Sequence, residues 1–252
     1  DFLCISFSST DIIGHVFGTN SIELQDTYLR LDRELAQLFA YLDKHLGKKS
    51  YLVFLTADHA APEVPAYMKD LRMTAGYFKV EEIHQKVQQF LTQKYGEGNW
   101  VWDIDDKQIY LNRTLILSKN LNISDVQQQV AQLVLQQEGI VYTFTATQLQ
   151  EQYYGSGVGH FAQNGFFPKK SGDITMITQA HWLSDYWKKG TSHGTPYAYD
   201  THVPMIFYGW KVKKGSTVRH TNITDIAPTV ATFLNIQFPS NCTGQPIEEL
   251  FR

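Results

Sequence analysis

The chain has 252 residues, of which 43% are hydrophobic and 19% charged, and its formal net charge is -3. This balance is typical of a globular protein and excludes a disordered chain. The sequence contains no basic run of the kind that binds nucleic acid, and no apolar stretch approaches the ~20 residues that a membrane helix needs. We therefore expect neither a nucleic-acid partner nor a membrane span.

The first residues form a continuous apolar run, 2–7, which is typical of a strand buried on both faces. The chain starts without Met and without a signal peptide, so we expect that it was cut from a longer protein. Cys4 lies in this run and is predicted to be buried and free, although pairing with Cys242 stays open. A strand that lacks its natural neighbours exposes apolar surface, and on that ground we expect self-association of the isolated chain.

Residues 21–46 show the periodicity of a long helix, with Gly47 as its C-terminal cap. Residues 51–55 form a second apolar run and are predicted to be a buried strand. Strand, helix and strand in this order predict a unit with two parallel strands and a right-handed crossover.

The middle of the chain has a different pattern, which predicts an inserted α+β subdomain over residues 79–170. It combines predicted helices at 80–95 and 124–138, the second with Ser124 as N-cap, with a predicted hairpin (100–104 and 108–111, turning at 105–107) and a short strand at 142–145. The glycine-rich stretch 154–159 lacks the Lys-Ser/Thr of a phosphate-binding P-loop and is predicted to be a flexible loop.

The last part of the chain returns to the pattern of a central core. Strands are predicted at 173–178 and 203–208, and a helix at 224–234. The core is therefore predicted to comprise residues 1–78 and 171–252, around the insertion at 79–170. The fold class that this pattern favours is α/β, with a mainly parallel sheet between helices.

Metal-ligand side chains concentrate in three short segments. Asp11 and His15 follow the first predicted strand, Asp58 and His59 follow the second, and His193 lies in a loop before the strand at 203–208. In a parallel α/β sheet, ligands bind beyond the carboxyl ends of the strands, so these side chains fall where such a fold places its site.

Imidazole and carboxylate groups together suit zinc more than Mg²⁺ or Mn²⁺. Two zinc ions about 4 Å apart can clamp the attacking and the leaving oxygens of a phosphoryl transfer. Five ligands from three segments fit a two-ion site better than a one-ion site. The plain alternative is that each Asp caps a helix and each His is an ordinary polar residue.

The segments 8–18, 28–32, 51–59, 192–204 and 225–231 resemble the PafA-type bacterial alkaline phosphatases. These belong to the alkaline phosphatase superfamily, together with the nucleotide pyrophosphatase/phosphodiesterases. The resemblance runs across nearly the whole chain but covers only the C-terminal half of the family's catalytic domain. It implies an alkaline phosphatase-like three-layer α/β/α sandwich, here as a partial core, and a periplasmic or secreted protein.

The resemblance also implies how the ligands are shared between two zinc ions. Asp11, His15 and His193 would hold one ion, which makes that site complete in protein ligands. Asp58 and His59 would hold the second ion, which in the family also takes an Asp and the Thr nucleophile. Both come from the N-terminal half of the domain, so the nucleophile is expected outside this chain.

Three functional hypotheses follow. The first is a zinc-dependent phosphate monoesterase that acts on small-molecule phosphate esters together with the missing N-terminal half. The second is a phosphodiesterase or nucleotide pyrophosphatase of the same superfamily, because the metal ligands are shared. The third is a non-catalytic metal-binding module as isolated. Asp200 and His202 follow His193 closely and are predicted to orient that ligand without binding the metal themselves.

Overall fold

The computed structural model describes residues 1–105 and 107–251. The chain divides into two compact units. The first consists of Asp1–Asp26 and Ala60–Thr201, and the second of Thr27–His59 and the segment from His202 onward. No helix in the described ranges is long and apolar enough to cross a membrane.

Helices make up much of the described chain. In chain order they are α1 (Ser9–Phe17), α2 (Ile22–Leu46), α3 (Pro65–Asp70), α4 (Val80–Tyr95), α5 (Arg113–Ser118), α6 (Ile123–Leu135), α7 (Ala146–Glu151), α8 (Gly157–Asn164), α9 (Ala198–Thr201) and α10 (Ile226–Leu234). The predicted helices at 21–46 and 80–95 are confirmed as α2 and α4. Gly47 follows α2 with φ 91°, in the left-handed region that favours glycine at a helix end.

Within the described residues, the strands form three small sheets. They are β1 (Leu52–Thr56), β2 (Gly76–Phe78), β3 (Val101–Asp105), β4 (Gln108–Leu111), β5 (Ile140–Thr145), β6 (Ile174–Thr178), β7 (Trp182–Ser184) and β8 (Met205–Gly209). β1 pairs with β8, β2 pairs with β7 in parallel, and the third sheet has the order β3-β4-β6-β5 with antiparallel neighbours.

The four-stranded sheet carries the main core of the first unit, packed with α4 and α6. Trp100, Ile109, Ile174 and Val87 are fully buried there. The predicted hairpin is confirmed as β3 and β4, and Asp106 of its turn lies outside the described residues. The strand predicted at 173–178 is present as β6 and lies in this same sheet, paired with β4 and β5.

Two local predictions in this region are wrong. The N-cap of α6 is Asn122 and not Ser124, because the Asn122 side chain accepts hydrogen bonds from the backbone N–H groups of Ser124 and Asp125. The predicted glycine-rich loop is in part helical, since α8 begins at Gly157. Glycine lowers helix propensity without forbidding a short helix that packs on its neighbours.

The opening strand is absent, and this overturns three linked predictions. Residues 1–7 form neither strand nor helix, and Cys4 is free but exposed, not buried. β1 therefore has no parallel partner before it and pairs antiparallel with β8, with Phe54 opposite Phe207. An apolar run becomes a strand only where a neighbour completes its backbone hydrogen bonds, and no described strand pairs with residues 1–7.

The second unit is held together at the start of α10 by Asp225. Its carboxylate accepts hydrogen bonds from the backbone N–H groups of Asn222 at 2.8 Å and Gln245 at 2.9 Å. The Thr229 hydroxyl donates to the Asp225 carbonyl and accepts from the Ile247 N–H. This segment, one of those that carry the family resemblance, thus ties the last residues of the chain to α10.

Tyr51 lies beside β1 and makes the stability of the folded chain depend on pH in the alkaline range. Its hydroxyl donates to Asp43 at 2.9 Å. Burial, and then the hydrogen bond to Asp43 and the charge of that carboxylate, raise the pKa of Tyr51 to about 12 from 10.0. The folded state thus favours the protonated phenol, and the stability that this adds is full below pH 10.0 and is lost as the pH rises toward 12.

We expect Tyr51→Phe to remove this contribution, so that the variant loses less stability than the wild type as the pH rises from 10.0 to 12. The measurement is thermal unfolding of both proteins across that window. Tyr41→Phe is the matched control, because the Tyr41 side chain on α2 is exposed. Parallel stability–pH curves for the wild type and Tyr51→Phe would contradict the assignment.

Candidate metal centre

The first unit brings Asp11, His15 and His193 together. The ligand atoms that these three residues offer all lie within 4.8 Å of one another. The two His Nε2 atoms are 3.2 Å apart. Nε2 of His15 lies 3.4 Å from Oδ2 of Asp11, and Nε2 of His193 lies 3.6 Å from Oδ1 of the same carboxylate. All three side chains are partly exposed, so the cluster is open on one side.

Asp11 and His15 face the same way because both are on α1, one turn apart. Side chains four residues apart in a helix lie on the same face. The helix ends at Gly18, whose φ of 89° and N–H bond to the Gly14 carbonyl close the last turn. The pair was predicted to follow a strand directly, and this placement is wrong, because no described strand precedes the pair and both residues lie on α1, where they remain side by side.

His193 reaches the cluster because its loop docks on α1 through the backbone. The N–H of Thr191 donates to the Gly14 carbonyl at 3.3 Å, and its hydroxyl donates to the Pro62 carbonyl at 2.6 Å. A side chain at Gly190 would overlap the carbonyl of His15, so glycine permits this close approach. The loop is therefore fixed against α1 two residues before the ligand.

The orientation of His15 is set by two contacts. Its Nδ1–H donates to the Thr191 carbonyl at 2.8 Å, because a carbonyl oxygen can only accept. This fixes the tautomer and leaves a lone pair on Nε2, the atom that faces Asp11 and His193. The ring also stacks on Trp187, with centroids 4.4 Å apart and planes 25° from parallel. Neither Thr191 nor Trp187 was predicted from the sequence to belong to the site.

The far side of the His193 loop is held by Asp200 and two tyrosines. Buried Asp200 accepts hydrogen bonds from the Thr195 N–H at 2.7 Å and the Thr195 hydroxyl at 2.6 Å. Tyr197 donates to the Thr178 carbonyl, and Tyr199 accepts from the His181 N–H. Burial raises the pKa of both phenols, so they stay protonated. Asp200 thus acts on the loop through Thr195.

The second predicted pair lies in the second unit, just beyond the end of β1. Asp58 is exposed, and its Oδ1 accepts a hydrogen bond from the His59 N–H at 3.2 Å. Nε2 of His59 lies 3.8 Å from the same oxygen, so the two side chains are close to each other. His202 is also in this unit and is exposed.

The donor set of the three-residue cluster fits a tetrahedral zinc ion. With bonds of about 2.0–2.1 Å, a tetrahedral ion sets its ligand atoms about 3.4 Å apart. In the cluster, Nε2 of His15 lies 3.2 Å from Nε2 of His193 and 3.4 Å from Oδ2 of Asp11, and the other carboxylate oxygen, Oδ1, lies 3.6 Å from Nε2 of His193. One ligand atom from each residue therefore lies within 4.8 Å of the other two, a span that a single ion can bridge. Two imidazole nitrogens and one carboxylate are donor types that suit zinc, whereas Mg²⁺ prefers oxygen ligands.

A family model described as type I phosphodiesterase / nucleotide pyrophosphatase matches residues 1–202. The chain therefore belongs to the type I phosphodiesterase / nucleotide pyrophosphatase family. This agrees with the resemblance that the ligand segments carry.

Individual relatives make the similarity more specific. Alkaline phosphatase PafA of Elizabethkingia meningoseptica is 40% identical over 250 residues, which cover 99% of this chain and 46% of that protein. A protein of Myroides odoratus named calcium-transporting ATPase is 39% identical over 250 residues, with coverage of 99% and 46%. The crystal structure of wild-type PafA superimposes with a TM-score of 0.90 at 39% identity, over 97% of this chain and 46% of that chain.

These comparisons confirm the recognition of a PafA-type relative and the alkaline phosphatase-like α/β fold class. The chain spans about half the length of the curated relatives that it matches.

Proposed function

We propose that this chain is the C-terminal part of a zinc-dependent phosphoester hydrolase, a phosphate monoesterase of the alkaline phosphatase type that acts on small-molecule esters. The observation that carries the proposal is the cluster of Asp11, His15 and His193, which brings two imidazoles and one carboxylate within 4.8 Å of one another. Family membership and the names of the phosphatase relatives support it.

Within this proposal the residues of the chain have separate roles. Asp11, His15 and His193 hold one zinc ion, which supplies Lewis-acid stabilisation of the charge that develops on phosphate-ester oxygens. Thr191 and Trp187 orient His15, and Asp200 fixes the loop that bears His193.

Asp58 and His59 are proposed to supply part of a second zinc site. We propose that its remaining ligand and the Thr nucleophile lie outside this chain, in the part of the relatives that the chain does not match. The isolated chain is then a metal-binding fragment without turnover. The exposed apolar side chains of Phe2, Leu3 and Ile5 support the proposed self-association of the isolated chain.

The division into a core (1–78 and 171–252) and an insertion (79–170) remains a proposal from the sequence pattern. A periplasmic or secreted location remains a proposal from the family resemblance. The phosphodiesterase or nucleotide pyrophosphatase reaction is the second candidate function, because the matching family model carries that description.

The experiment that tests the proposed function compares two proteins on two substrates. A protein that joins this chain to the N-terminal half of its catalytic domain is assayed on a phosphate monoester and on a diester. We expect the monoester to be preferred, the activity to be lost on zinc removal and the isolated chain to be inactive. Preference for the diester would favour the second candidate, and robust turnover by the isolated chain, abolished by His59→Ala, would overturn the placement of the nucleophile.

A further inference from the structure

Lys107 contacts the backbone of a proposed zinc ligand from a distant part of the sequence. Its Nζ donates to the carbonyl oxygen of His193 at 2.7 Å, across 86 positions of sequence. The contact is partly buried, and a hydrogen bond from a charged donor is stronger than one between neutral groups. Lys107 lies in the turn between β3 and β4, so the hairpin reaches the loop that bears the ligand.

We infer that Lys107 is a positioning residue for the zinc centre: its ammonium group holds the main chain of His193 where the imidazole meets Asp11 and His15. The inference rests on the proposed zinc site and adds to it a residue from outside the ligand segments.

The backbone of Lys107 supports a role for its side chain. Its φ is 63°, in the left-handed region where the Cβ of an ordinary residue is crowded. Hairpin turns that need this conformation favour glycine or asparagine, so lysine is locally the poorer choice. The Lys107 carbonyl accepts a hydrogen bond from the Met176 N–H at 2.8 Å, which fixes the turn on β6 and aims the side chain.

The backbone of the His193 loop is anchored on both sides of the ligand, and the bond from Lys107 adds a contact at the ligand residue itself. Thr191 is bound to α1 and Pro62 before the ligand, and Thr195 is bound to Asp200 after it. Between them, His193 is followed by exposed Gly194, whose φ of 88° lies in the left-handed region that glycine adopts readily. The bond from Lys107 acts at the ligand residue itself, where rotation of the backbone would swing the imidazole away.

The test measures the zinc affinity of the chain by competition with a chelator, and the visible spectrum of the cobalt-substituted protein, for the wild type and three variants of Lys107. We expect Lys107→Gly and Lys107→Met to bind zinc about tenfold more weakly, as is common when a group that orients a ligand is removed. Lys107→Arg keeps a cationic donor and should retain most of the affinity. The cobalt spectrum should change in the Gly and Met variants and be restored in the Arg variant.

Lys49→Gly is the matched control, because Lys49 is an exposed lysine with φ 67° and lies away from the cluster in sequence. Both glycine variants relieve the same backbone crowding, so neither should lower the unfolding temperature, and Lys49→Gly should bind zinc like the wild type. Unchanged zinc affinity in Lys107→Gly and Lys107→Met, beside a wild type that binds zinc, would overturn the inference and leave the proposed function standing. A wild type that binds no zinc would overturn both.

Discussion

His15→Ala is expected to weaken zinc binding by the chain at least about 100-fold. The substitution removes one of three protein ligands, and the loss of a group that only orients a ligand already weakens metal binding about 10- to 100-fold. It also breaks the hydrogen bond to Thr191 and the stacking on Trp187, so the His193 loop loses contacts with α1. The measurement is a competition titration against a chromophoric chelator.

The matched control is His84→Ala, which removes a histidine of α4 that lies outside the cluster. This variant should bind zinc like the wild type. Equal affinity of His15→Ala and the wild type would show that any bound zinc lies elsewhere, and would remove the observation on which the proposed function rests.

Asp173→Ala is expected to lower the free energy of unfolding by about 2–4 kcal/mol, because it leaves buried hydrogen-bond donors without an acceptor, each at a cost of about 1–3 kcal/mol. Asp173 is 2% exposed, and its carboxylate joins three separate elements. It accepts from the Leu111 N–H at 2.9 Å, from Nε of Arg113 at 2.9 Å and from the Gln127 amide at 2.8 Å. Removing it leaves a buried N–H and amide without acceptors, next to a cation without its partner.

The measurement is urea unfolding followed by tryptophan fluorescence, since buried Trp100 lies in the same core. Asp173→Asn keeps one acceptor and the shape of the side chain, so it should lose less than the alanine variant. Asp105→Ala changes an exposed carboxylate at the end of β3 and should stay within about 0.5 kcal/mol of the wild type. A loss below about 1 kcal/mol for Asp173→Ala would contradict the bridging role.

The elements that could be predicted from the sequence are those whose pattern is local and long. The helices α2 and α4 follow from apolar residues that recur every three or four positions. The strands β3 and β4 follow from alternation on both sides of a short turn. In each case the signal and the structure that it specifies lie within the same stretch of chain.

The pairing of strands could not be predicted in this way. The apolar run at 51–55 indicates burial but does not indicate the neighbour, and the structure pairs it antiparallel with β8, about 150 positions later in the chain. The run at 2–7 is also mostly apolar and forms no strand. Strand formation depends on a partner that supplies the missing hydrogen bonds, and that information is distant in sequence.

In the candidate metal centre, too, some features could be predicted from local sequence and others depend on contacts between distant residues. Asp11 and His15 could be predicted as ligands from their residue types. Their spacing of four positions also indicates one face of a helix, but the strand predicted just before them led away from a helix at this place. His193 is brought to them by backbone contacts at Gly190 and Thr191. Every residue has a backbone carbonyl, so a hydrogen bond to a carbonyl places no requirement on the type of the accepting residue. Neither this docking nor the contact from Lys107 could therefore be predicted from the sequence.

The most direct test of the central claim is the zinc content of the isolated chain, measured by elemental analysis after equilibration with zinc and removal of the excess. The geometry of Asp11, His15 and His193 predicts about one tightly held zinc ion per chain, and its loss in His15→Ala. No retained zinc, or equal zinc in the wild type and in His15→Ala, would contradict the assignment of this cluster as a metal centre.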